Sequence, residues 1–196
     1  NKYYGEYTFY YWFWKNILSK TSDGTWVGFT GYRYHWSQKN DLKSEKITKL
    51  VTENNFENYI LKKIPDEWND YKVILGEEIS VNNWKLSKIL KHGKKKFFLN
   101  PSYFIKKNQN VKLHFDVFHG DGYLDKAISV LDSVERKDFA DFVEKKQSFN
   151  RENLFFCKSN KLLENYFNSV FNWLEACENF FGFDLKGYAK TRIYAF

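Results

Sequence analysis

At 196 residues the chain is long enough for one well-packed domain and short for two. Aromatic residues make up 21% of it, a load that a disordered chain lacks, because apolar burial offsets the entropy of ordering. The net charge is +7 and the isoelectric point about 9.1, which suits anionic partners such as nucleoside diphosphates, anionic lipid headgroups or nucleic acid, although a merely solvated basic surface reads equally well.

Two cysteines, Cys157 and Cys177, lie far apart without metal-ligand spacing and read as buried thiols in a reducing compartment. The longest apolar stretch, Phe9–Trp14, is far short of the roughly 20 residues needed to span a bilayer. The expected setting is therefore cytoplasmic, soluble or peripheral. There is no methionine, and the chain opens inside a helix-like pattern. Both features suggest a sequence with methionines, loops or a preceding strand left out, an expectation that an intact mass near 23.7 kDa would contradict.

In chain order, residues 3–18 carry Tyr3, Tyr7, Tyr10, Tyr11, Trp14, Ile17 and Leu18 at helical spacings. Ser22-Asp23-Gly24 is a turn. Trp26–Thr30 reads as a short buried strand delivering the loop Gly31-Tyr32-Arg33-Tyr34. Residues 44–63 suggest one or two helices stopped by Pro65, and Tyr71–Leu75 a second buried strand. Residues 83–90 read as helical. Over 111–117, Val, Leu, Phe and Val alternate with Lys, His and Asp, the period-2 signature of a half-exposed strand. The bend His119-Gly120-Asp121-Gly122 leads to helices at 123–133 and 136–146; Leu154–Cys157 is a brief strand, and 160–181 a helix. Strands interleaved with helices predict an α/β fold, one domain over 1–196, with a mostly parallel sheet flanked by helices. Ligands then bind where strands end in loops.

No P-loop, dinucleotide fingerprint, zinc spacing or nucleophile elbow is present, and the four histidines are scattered. Three polar groups remain. Glu6, on an otherwise aromatic helix, calls for a cationic partner or a ligand contact. Arg33 sits where many nucleotide-sugar transferases place a metal-binding Asp-x-Asp; a guanidinium neutralises a diphosphate bidentately without metal, though a cation–π cluster fits the same residues. Asp121, flanked by glycines, and then His119 are candidate bases for an acceptor hydroxyl; an ordinary loop carboxylate fits too. Asp116 with Asp121 is the weaker alternative as ligands of Mg or Mn.

Glu-x-Thr-x-x-Tyr-Trp-x-Trp-Lys-Asn at 6–16, followed by the Val-Gly-Phe-x-x-Tyr-Arg strand and loop at 27–33, resembles a bacterial capsular and exopolysaccharide glycosyltransferase family long catalogued as a domain of unknown function. The likeness continues at His119, at 153–156 and at Arg192. It departs in the loop, where the family reads His-Tyr-Arg-Arg and this chain has Gly31-Tyr32-Arg33-Tyr34. The family also tends to have Met after the residue matched by Asn153, and a strand before the first motif that helps to form the base pocket.

The resemblance implies a GT-A-like, Rossmann-like fold and transfer of a sugar, a furanose such as galactofuranose among the candidates, from a nucleotide-diphosphate donor to a lipid-linked glycan acceptor. It places Glu6, Trp12, Tyr32, Arg33, Asn153 and Arg192 at the donor, with Trp12 or Trp14 as a stacking wall. No cofactor is required in this reading, a divalent cation being the alternative. Lys94–Lys96 would rest on the anionic inner leaflet. A non-catalytic carbohydrate-binding module is the rival reading. Nucleic-acid binding is disfavoured, because the aromatics cluster on apolar helical faces rather than beside the basic runs.

Overall fold

The computed structural model describes residues 4–31, 34–37, 51–84, 86–150 and 153–183. Among them are seven α-helices: α1 Tyr7–Asn16, α2 Leu86–His92, α3 Lys94–Leu99, α4 Val111–His119, α5 Tyr123–Ser129, α6 Ser133–Lys145 and α7 Asn160–Phe181. Five short strands accompany them: β1 Val27–Phe29, β2 Val73–Leu75, β3 Glu78–Ser80, β4 Ser148–Asn150 and β5 Phe155–Cys157. The chain divides into two compact units, one of residues 1–20, 78–149 and 164–196, the other of residues 21–77 and 150–163.

In the first unit, α1 buries Tyr7, Tyr10, Phe13 and Trp14, at steps of three and four, against α7. Trp14 stacks on Phe171 at 5.5 Å between ring centroids, and its indole N–H donates to Glu164 at 2.8 Å. Phe167 and Leu174 of α7 are almost wholly buried, which follows from the 3.6-residue apolar period along that helix. A second apolar cluster joins Ile89 of α2, Phe104 and Leu113 of α4, with Trp84, Phe97 and Val117 packed on it.

Residues 111–119, expected as a strand, form helix α4. Asn110 caps its first turn, the side-chain oxygen accepting from the Leu113 N–H at 2.8 Å. Gly120, at φ +110, ends it, and a Cβ there would stand 2.8 Å from the Tyr123 ring. The alternation misleads because two flanks are packed: Leu113 and Val117 enter the apolar cluster, while Phe115, about 200° round the helix from Leu113, is buried as well. A helix buried on two sides carries apolar residues at positions that also alternate.

The second unit holds a three-stranded sheet in the order β1-β5-β2. Both pairings are antiparallel, with Val27 and Val73 opposite Cys157, and Phe29 and Leu75 opposite Phe155. The other sheet is the ribbon β3-β4. The mostly parallel sheet expected from the order of elements is therefore absent among the described residues. Parallel pairing needs a crossover between neighbouring strands, and here β5 instead inserts between β1 and β2 in the antiparallel sense. Of the helices expected over 44–63, residues 44–50 lie outside the described residues, and 51–63 contain a single 3₁₀ turn, Phe56–Asn58.

Candidate functional site

The first unit contains a groove of about 1010 Å³ bordered by α3, the turns that follow it, α4 and α6. Its floor carries an ion cluster. Asp116, on α4, has a side chain only 3% exposed, and its Oδ2 accepts from Lys96 Nζ at 2.9 Å and Lys112 Nζ at 3.0 Å. Its other oxygen accepts from the Gly122 N–H at 3.3 Å. Lys96 also reaches Asp121 at 2.5 Å, and Lys112 reaches Asp125 at 2.9 Å.

The local sequence explains the arrangement. Lys112 and Asp116 are four apart on α4 and so share a face. Lys96 arrives from α3, and Asp121 follows the bend at Gly120, past the end of a helix rather than at a sheet edge. Burial alone lowers the pKa of each ammonium, but the hydrogen bonds it donates to carboxylates, with their charge, outweigh this. Lys96 is held upward by Asp121 and Asp116, and Lys112 by Asp125 and Asp116. Asp121 moves down, chiefly through the hydrogen bond from Lys96.

These positions bear on several expectations. Asp121 is 76% exposed at the groove and ionised, and a carboxylate already bonded to an ammonium is a weaker proton acceptor than a free one. Asp116 with Asp121 does not fit a divalent cation, because Lys96 occupies the space between their oxygens. No group of three or more His, Cys, Asp or Glu suited to a metal occurs among the described residues. Lys96 is likewise committed to carboxylates and is not a free member of the Lys94–Lys96 run. His119 packs its ring at 4.9 Å from that of Phe115.

The groove wall at Lys107 and the turn before it are fixed by two amides that the sequence does not single out. Gln147 Nε2 donates to the carbonyls of Lys106, Lys107 and Gln109, at 3.0 to 3.1 Å, and the buried Gln109 donates to that of Phe104 at 2.6 Å. An isolated glutamine such as Gln147 carries no signal in sequence, since these main-chain partners lie 38 to 41 positions away.

Glu6 is half-buried at the start of α1, where its carbonyl accepts from the N–H groups of Phe9 and Tyr10. Its charge adds to burial in raising the Tyr10 pKa. Trp12 is exposed and stacks on Phe9 at 5.9 Å. Trp14 is no stacking wall: it is buried, with Phe171 on it and Lys15 Nζ 3.2 Å from its ring centroid. Asn153 lies two residues before β5 with φ +50, a backbone state that asparagine tolerates better than most residues. Tyr32, Arg33 and Arg192 lie outside the described residues.

In the second unit the strand that leads to Arg33 supports an aromatic cluster. Phe156 of β5 lies 4.9 Å from Trp36 and 5.3 Å from Trp68, and Trp26 lies 6.1 Å from Trp68. All four are only partly buried. Gly28 makes room for Phe156, since a Cβ on it would come within 2.2 Å of that ring.

No curated protein matches the chain. Its fold is similar to part of a solved structure described as the WbbM bifunctional glycosyltransferase in its apo form, with a TM-score of 0.57 and 17% sequence identity. The match covers 98% of this chain and 31% of that one, so the chain spans about a third of the length of that protein. A family model described as a domain of unknown function, DUF4422, matches residues 1–196, and the chain belongs to that family.

Proposed function

We propose that the chain is the catalytic part of a glycosyltransferase that moves a sugar from a nucleotide-diphosphate donor to a growing capsular or exopolysaccharide acceptor. The observation that carries this reading is the fold shared, over 98% of the chain, with a segment of a bifunctional glycosyltransferase. Fold alone does not specify chemistry, and the motif residues supply the roles. Arg33, with Tyr32 and Arg192, neutralises the donor diphosphate, stabilising the leaving nucleotide as charge develops on it. Glu6, Trp12 and Asn153 contact the donor.

Asp121 takes the proton of the acceptor hydroxyl, with His119 as the second candidate. For Asp121 to act, Lys96 must let go of it, and a polyanionic substrate entering the groove would draw that ammonium away. A furanose such as galactofuranose is the donor sugar that family likeness favours, and a divalent cation is not part of the mechanism.

A scan of nucleotide sugars, with and without chelator, tests the proposal. Transfer or donor hydrolysis that persists in chelator supports it. Arg33→Ala should abolish turnover while leaving the circular dichroism spectrum unchanged, and full turnover in that variant would refute the role assigned to Arg33.

The half-exposed cluster of Trp26, Trp36, Trp68 and Phe156 favours a second reading, a carbohydrate-binding module without catalysis. Thermal shift separates the two: a nucleoside diphosphate raises the melting temperature of a transferase by mass action and leaves a pure glycan binder unmoved.

A further inference from the structure

The surplus positive charge of the chain is confined to one segment. Residues 79–115 contain nine Lys and no Asp or Glu, while the rest of the chain carries 22 Lys and Arg against 24 Asp and Glu. The segment lies within the first unit and includes α2, α3 and the turns that follow.

The same segment exposes apolar side chains. On α3, Phe97 packs inward at 5.6 Å from the Phe104 ring and Lys96 turns to Asp116. The opposite arc presents Lys94, Lys95, Phe98 and Leu99, all exposed, with Phe98 68% and Leu99 69% accessible. This inverts the usual pattern, in which phenylalanine and leucine face the core. Beyond the helix, Tyr103 and Ile105 are also exposed, next to Lys106 and Lys107. Leu99 and Tyr103 border the same groove as Lys95 and Lys107, so apolar and basic groups share one rim.

We infer that this face docks on an anionic lipid bilayer. Lysines without intervening carboxylates are drawn to a negatively charged leaflet, and their long stems let the ammoniums stay at the headgroups while the rings and aliphatic tips enter the acyl boundary. The apolar members select this partner over nucleic acid: Leu99 and Ile105 are aliphatic and offer no face for base stacking. No helix among the described residues is long and apolar enough to cross a membrane, so the attachment is peripheral. The inference is independent of the transferase reading, since a chain with no turnover would dock equally well.

Co-sedimentation of the full chain with vesicles tests it, comparing phosphatidylcholine alone with an equal mixture of phosphatidylcholine and phosphatidylglycerol. The chain should bind the mixed vesicles at least about tenfold more tightly and should be released by salt. Phe98→Glu combined with Ile105→Glu, both outside the groove lining, should weaken that binding by about tenfold or more without changing the melting temperature. Lys94→Glu combined with Lys106→Glu should do the same and keeps the test open should the first pair fold poorly. Equal binding to neutral vesicles, no binding to either, or undiminished binding of both variants would overturn the inference. So would a self-association that the Phe98 variant abolishes in the absence of lipid, or single-stranded DNA binding tighter than vesicle binding.

Discussion

Lys96 and Lys112 reach the same oxygen of Asp116, at 2.9 and 3.0 Å, from two different helices. One nearly buried carboxylate thus ties α3 to α4 and sets the floor of the groove. Without Asp116 each ammonium keeps one exposed carboxylate, Asp121 for Lys96 and Asp125 for Lys112, but loses its buried partner in a poorly solvated place. Asp116→Ala is therefore expected to destabilise the fold by about 2–3 kcal/mol, discounted from the fully buried case because both lysines are partly exposed. Urea unfolding measures this. Asp121→Ala, at an exposed site, should cost well under ~1 kcal/mol.

His114 predicts a pH dependence. Burial, aided by the nearby charges of His119 and Lys88, pushes its pKa down to about 4, and its Nδ1 is buried without a hydrogen-bond partner. The unfolded chain binds the proton at the ordinary value of about 6.5, so between about 6.5 and 4 the unfolded state holds more protons than the folded one. Stability from this group is complete above about 6.5 and falls as the pH drops toward 4. His114→Phe should flatten that part of the stability profile, and an unaltered slope in the variant would exclude His114 as its source.

Gly28 predicts a packing defect that a second substitution relieves. Gly28→Ala drives a methyl group into the Phe156 ring and should destabilise by about 1–3 kcal/mol. In a Phe156→Leu background the added penalty of Gly28→Ala should shrink by about half or more, because the clashing ring atoms are gone. A thermal double-mutant cycle reads the difference.

Gly120 predicts a backbone effect. At φ +110 no other residue is comfortable, and the Tyr123 ring leaves no room for a side chain. Gly120→Ala should cost about 1–3 kcal/mol and disturb the segment that carries Asp121. Hydrogen exchange at residues 119–125 should rise relative to α7.

Legibility in sequence tracked how local each cause is. Helix α7 spans 160–181 as its apolar period implied, because Leu163, Phe167, Leu174 and Cys177 recur at steps of three, four and seven and are all almost wholly buried. Strands β1, β2 and β5 fall within the short apolar runs expected of them, but β2 is not the buried strand expected there, since Val73 and Leu75 are exposed, and the antiparallel order depends on pairing across 80 residues or more, which no local pattern encodes. Helix α4 was misread although its signals were present: the Asn110 cap, Gly120 after the last turn, and Lys112 with Asp116 one turn apart. The capping residues outweigh alternation that a doubly packed helix also produces. Asp116 and Asp121 could be picked out as polar residues beside a bend, yet their common partner Lys96 lies 20 and 25 positions away and is brought in only by tertiary packing.

The thiols Cys177, in the first unit, and Cys157, in the second, are both free and almost fully shielded from water. Burial pushes Cys177 up to about 12 and Cys157 upward as well, so neither presents a thiolate while folded. Each is consequently a built-in reporter of breathing in its own unit. Alkylation rates at the two sulfurs, followed by peptide mass mapping, would time the opening of each unit separately, with no label engineered into the chain.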